Sequence, residues 1–140
     1  MTERMKKAVD NHHNGYNCSQ AIVCAFADVL DMDEKDLFRM AEAFGFGMGS
    51  MGTCGSLSSM ALIVGLLESD GKLRESRSKK TSYRVMKQLT KALEEKNGAL
   101  ICRELRGRDT GVMIRSCDDR IRDAVGLLEK YLSEWGKVKE

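Results

Sequence analysis

Residues 44–68 read FGFGMGSMGTCGSLSSMALIVGLLE, and two kinds of backbone meet at Cys54. Before it, four glycines at 45, 47, 49 and 52 alternate with larger residues, and Gly55 follows directly. Glycine accepts positive φ and lets chain segments approach closely, so residues 45–55 form a shaped loop and not a helix interior. After it, Leu57, Met60, Ala61, Leu62, Ile63, Val64, Leu66 and Leu67 leave almost no polar face between Ser56 and Glu68. A helix that is apolar all round is enclosed by others, so the stretch predicts a helical bundle with this helix at its centre.

The flanks agree. Thr2 to about Asn11 is a first helix, stopped by His-His-Asn-Gly at 12–15. A second opens at Asn17, with Gln20 as its capping partner, and carries Ile22, Ala25, Phe26, Val29 and Leu30 as an apolar stripe. A third starts near Asp33 with Leu37, Phe38, Met40, Ala41 and Phe44 facing inward. A long helix from about Leu73 to Lys96 turns Tyr83, Met86, Leu89 and Leu93 to the core, and Asn97-Gly98 ends it. A short turn at 102–106 precedes a last helix capped by Ser116 with Asp119, with Ile121, Ala124, Val125, Leu128, Leu132 and Trp135 on one side. The fold class is therefore all-α: one domain over residues 1–140, with five to six helices, a central apolar helix and a Gly-rich loop.

Composition supports this reading. The chain has no proline, and 33 Leu, Ala and Met stand against 18 Val, Ile and Thr, a ratio that favours helices over sheet. Net charge is +2, an ordinary globular balance. No apolar run approaches the roughly 20 residues that span a bilayer, so membrane insertion is not expected. The opening MTERMKKAVD lacks an apolar signal segment, and a cytoplasmic location follows. Residues 72–91 hold eight basic groups and one acidic, a surface suited to an acidic partner. With a single aromatic residue there, nucleic acid is a poor fit. A homo-oligomer is compatible with the sequence, which identifies no small-molecule substrate.

Five cysteines in a reducing compartment are metal ligands, redox groups or small buried hydrophobes. Four share one type of position: Cys18 follows the cap Asn17, Cys54 closes the glycine loop, Cys102 opens a short turn, and Cys117 follows the cap Ser116. Helix starts carry unsatisfied N–H groups and partial positive charge, which favour thiolate. Cys24 lies mid-helix, about 240° around from Cys18, and reads as packing. No C-x-x-C pair occurs, so a shared sulfur site must be assembled by tertiary packing.

These residues resemble the redox-active proteins named for their C_GCAxxG_C_C pattern. The resemblance rests on NCSQA at 17–21, FGFGMGSMGTCGSLSS at 44–59, CRELRG at 102–107 and Cys117, with Ser56 and Ser59 standing where the family has Ala and Gly. It implies a redox role for Cys18, Cys54, Cys102 and Cys117.

Two chemistries suit four such thiols. One is an iron–sulfur cluster or thiolate-bound metal ion on these four cysteines, with the loop N–H groups of Gly49, Gly52 and Gly55 tuning the sulfurs. The other is thiol–disulfide electron transfer, with Cys54 as the expected nucleophile because glycines leave it accessible. The alternative from another class is a non-catalytic interaction module, or a structural zinc-binding module, with inert thiols. G-x-G-x-x-G at 47–52 follows a helix, not a strand, and is no dinucleotide fingerprint. His12 and His13 read as a C-terminal helix cap in preference to ligands near Cys18. Ser56, Ser58 and Ser59 lack the surroundings of a hydrolase nucleophile.

Overall fold

The computed structural model describes residues 1–135; the side chain of Trp135, expected on the inner face of the last helix, lies outside the described residues. Eight α-helices occur among them: α1 (Glu3–His13), α2 (Cys18–Ala25), α3 (Ala27–Leu30), α4 (Glu34–Ala41), α5 (Gly55–Glu68), α6 (Lys79–Asn97), α7 (Cys102–Arg106) and α8 (Cys117–Trp135). The class is all-α, and the expected five to six helices become eight. The second splits at Phe26, where the backbone opens to φ −106° and ψ 14°, separating α2 from α3.

Local chemistry sets the helix starts. Thr2 caps α1 by accepting from the Met5 N–H. Asn17 and Gln20 form a reciprocal capping box at the head of α2: the Asn17 side chain accepts from the Gln20 N–H at 2.8 Å, and Gln20 Oε1 accepts from the Asn17 N–H at 3.0 Å. Ser116 Oγ accepts from the Asp119 N–H at 3.1 Å at the head of α8. The histidines belong to α1, which runs to His13.

The enclosed helix is α2, not α5. Ser19 through Phe26 are all buried, packed among α1, α4, α5 and α8. On α5, by contrast, Ala61 and Leu66 are exposed, while Met60, Ile63 and Val64 enter the core. Apolar composition alone misplaces the centre, because a helix with two buried polar residues, the small Ser19 and the longer Gln20, fits the tightest position when the longer one is bonded. Gln20 meets this by donating to the Phe38 carbonyl at 3.1 Å.

Three further expectations are corrected. Helix α6 begins at Lys79, six residues later than expected, because Asp70 organises the preceding loop. Its carboxylate accepts from the backbone N–H groups of Arg77 and Lys72 and from Ser76, which holds its pKa down at about 2. The buried stripe of α6 is Val85, Leu89 and Leu93; Tyr83 points outward at 68% exposure. Met40 of α4 is also exposed. Lys79, Lys80, Arg84, Lys87 and Lys91 all lie on the solvent side of α6. No helix of the described residues is long and apolar enough to cross a membrane.

Candidate functional site

The four helix-start cysteines sit where their helices begin: Cys18 opens α2, Cys54 immediately precedes α5, Cys102 opens α7 and Cys117 opens α8. A piece of pairing absent from the sequence reading joins two of these starts. The Cys54 N–H donates to the Leu100 carbonyl at 2.8 Å, the Cys102 N–H donates to the Gly52 carbonyl at 2.7 Å, and Thr53 and Ile101 form an isolated antiparallel bridge. The glycine loop is thus stitched to the segment before α7.

The loop itself is left-handed. Phe46, Gly47, Met48 and Gly49 have φ of 54°, 58°, 58° and 76°. For Phe46 and Met48 this conformation costs about 1–2 kcal/mol each. A side chain at Gly47 would collide with the Gly52 backbone and press on Cys102 Cβ, so glycine is required there. The turn brings the Phe46 N–H to the Cys18 sulfur and its ring beneath the Arg106 guanidinium, 4.7 Å from the ring centre. Arg106 Nε also donates to Cys102 Sγ at 3.1 Å.

At the centre stands Arg120, a residue the sequence reading did not single out. It is 2% exposed. Its Nη2 donates to Cys117 Sγ at 3.0 Å and its Nη1 to Cys54 Sγ at 3.5 Å, and Cys102 lies near enough to help hold its charge. Nε donates to the Ser116 carbonyl at 3.3 Å. Burial alone would push the guanidinium pKa down, but Cys54 and Cys117 hold it above its ordinary value.

Cys18 completes the group from the far side, its sulfur packed on Gly55. Its pKa is pushed up to about 11, first by burial and then by Cys54 and Cys117, against the smaller opposing effects of the Phe46 N–H and Arg120. A helix start therefore does not make this thiol acidic. Cys24 lies apart in the core, its Sγ donating to the Glu34 carbonyl at 3.7 Å, and burial raises it to about 11.

Several expectations change. Cys54 is 0% exposed, in a small apolar cluster with Ala99 and Leu105, so the glycines do not leave it accessible. Among the four sulfur residues, Cys117 and Cys18 are the part-exposed ones. Of the glycine N–H groups expected to serve sulfur, that of Gly52 donates to the Gly47 carbonyl at 3.0 Å, and Gly49 lies in the exposed part of the loop with nothing near its Cα face. The loop amide that serves a sulfur is that of Phe46. Gly55 leaves the room that the Cys18 sulfur occupies. Ser56 and Ser59 are fully buried, consistent with a position that takes only small residues.

A single tetrahedral zinc holds sulfurs at about 2.3 Å, hence about 3.8 Å from each other. Among the described residues, the set of three or more His, Cys, Asp or Glu donor atoms lying within 4.8 Å of one another is His12, His13 and Asp118, and no three of the sulfurs meet that distance.

A family model described as "Putative redox-active protein (C_GCAxxG_C_C)" matches residues 16–131, spanning all four of these cysteines and Arg120. The chain belongs to that family. Neither a curated protein nor a solved structure matches it. In this C_GCAxxG_C_C protein the family's redox designation meets a buried cation that donates to the sulfurs at the starts of two helices, Cys54 and Cys117.

Proposed function

We propose that the protein carries electrons by thiol–disulfide exchange at Cys18, Cys54, Cys102 and Cys117, with Cys117 as the attacking sulfur. The observation that carries this reading is the buried Arg120 guanidinium, which donates to the sulfurs of Cys54 and Cys117. Arginine does not lose its proton in a protein, and a buried charge is tolerated when paired. Thiolate is the counter-charge within reach. Thiolate is also the attacking species in exchange.

Cys117 is the entry point because it is part-exposed, begins a 19-residue helix and receives the shorter of the two Arg120–sulfur bonds. Its thiolate attacks one sulfur of a disulfide substrate, forming a mixed disulfide and expelling the other sulfur as thiolate. A second cysteine of the pocket, deprotonated, then attacks Cys117 Sγ. An internal disulfide forms and the remaining substrate sulfur leaves as thiolate. Two electrons pass to the substrate, and both its sulfurs end reduced. An acidic protein docking on the lysine-rich face of α6 is a candidate partner.

The guanidinium also bears on the iron–sulfur and metal readings. It supplies among the sulfurs the positive charge that a metal would otherwise bring, and the sulfur spacing does not suit one tetrahedral ion. The test is oxidation of the reduced chain by a graded glutathione couple, followed by mass mapping. One internal disulfide that includes Cys117, lost in Cys117→Ser, is expected. Stoichiometric iron and acid-labile sulfide in anaerobically prepared protein, with no internal disulfide across the titration, would overturn the proposal.

A further inference from the structure

His12 and His13 end α1, and both rings turn to one carboxylate on another helix. His12 Nδ1 lies 2.9 Å from Asp118 Oδ1, and His13 Nε2 lies 2.7 Å from Asp118 Oδ2. The sequence assigned these rings to capping, but the backbone closes α1 without them. The Asn14 N–H donates to the Asp10 and Asn11 carbonyls and the Gly15 N–H to that of His12. The imidazoles are thus spare for another purpose. Adjacent helical positions diverge by about 100°, yet these two rings converge, using opposite nitrogens, with centroids 6.1 Å apart.

We infer that His12 Nδ1, His13 Nε2 and the Asp118 carboxylate form a binding site for one divalent transition-metal ion of the zinc class. The donor set is the reason. Two imidazoles with one carboxylate suit zinc, iron(II) or cobalt(II), whereas magnesium and calcium take oxygen ligands. Donors about 2.1 Å from a tetrahedral ion stand about 3.4 Å apart. The His–Asp pairs, at 2.9 Å and 2.7 Å, need open by only about 0.5–0.7 Å to admit it. All three donor atoms already lie within 4.8 Å of one another. Entry is open, because His13 is 59% exposed, and the exposed side leaves room for water as a further ligand. The site also lies at the carbonyl end of α1, where the helix dipole favours a cation.

The ion would fasten the end of α1 to the start of α8, one residue beyond Cys117, without using a sulfur. The site stands independently of the thiol proposal, and its failure would leave that proposal untouched.

Cobalt(II) titration of the full, reduced chain tests it, with zinc competition as a second readout. One cobalt per chain is expected, with weak d–d bands of nitrogen and oxygen ligation and no intense thiolate-to-cobalt band. His13→Ala, at an exposed position that the fold does not need, should weaken binding at least about tenfold, and Asp118→Asn likewise. Cys117→Ser should retain it. No binding at millimolar cobalt, binding unaffected by His13→Ala, or a spectrum dominated by thiolate charge transfer would each overturn the assignment.

Discussion

Replacing Arg120 by methionine removes the cation from the sulfur pocket while keeping an unbranched side chain of similar reach. Its Nη atoms lie 3.0 Å from Cys117 Sγ and 3.5 Å from Cys54 Sγ, which places the guanidinium carbon about 4 Å from each sulfur. At that separation and an effective dielectric of about 20, each cation–thiolate attraction is worth about 4 kcal/mol. Rehydration and relaxation return part of it. Loss of even about 1.4 kcal/mol is tenfold in an equilibrium, so iodoacetamide should alkylate Cys117 of Arg120→Met at least about tenfold more slowly at neutral pH. Arg120→Lys keeps the charge and should keep most of the rate. Stability separates this role from a structural one. Without the cation the buried sulfurs can take up protons and stay neutral, so the variant should remain folded at the assay temperature by circular dichroism even if its melting temperature falls. Wild-type alkylation in Arg120→Met, resolved by peptide mass analysis, would refute the assignment. So would a rate loss that merely tracks unfolding.

Gly55→Ala places a methyl group on the Cys18 sulfur and against the Phe44 carbonyl, so overpacking should cost about 1–3 kcal/mol in urea unfolding. Alkali should destabilise the fold. Cys18 and Cys24 are raised from 9.0 to about 11, so the folded state holds protons that the unfolded chain releases. Their stabilising contribution is whole below pH 9.0 and gone above about pH 11; an unfolding midpoint unchanged across that window would contradict the burial of both thiols. Leu89→Ala should cost about 2–5 kcal/mol, whereas Tyr83→Ala should stay within about 0.5 kcal/mol, which checks the rotation of α6 by circular-dichroism melting.

Much of the fold could be read because its signals are local. The Asn17–Gln20 box, the Ser116 cap and the stop at Gly98 each depend on residues within a few positions, and each lies where the sequence places it. The misreadings come where distant partners compete. Residues 73–78 have helical composition, but Asp70 captures the backbone N–H of Arg77 and keeps them in a loop. Tyr83 matches a helical stripe, yet Val85, Leu89 and Leu93 fit the neighbouring helices better. α5 has the more apolar surface, while α2 offers the small side chains that four neighbours can approach.

The four cysteines could be picked out for the same local reason, as residues at helix starts. Their shared cation could not, because a lone arginine three residues after Cys117 resembles any other surface charge. A signal was nonetheless present. Arg120 lies on the stripe that continues through Ala124, Leu127 and Tyr131, all of them buried, so it is a charge written into an apolar face. The acidic residues around it in the first two turns of α8 are engaged elsewhere: Asp118 with His12 and His13, Asp119 with Arg122, and Asp123 with Arg115. With those carboxylates committed, the guanidinium is left facing sulfur. A buried arginine whose nearby carboxylates all have other partners leaves sulfur as its counterpart, and this ties the charge pattern of one helix to the proposed thiol site.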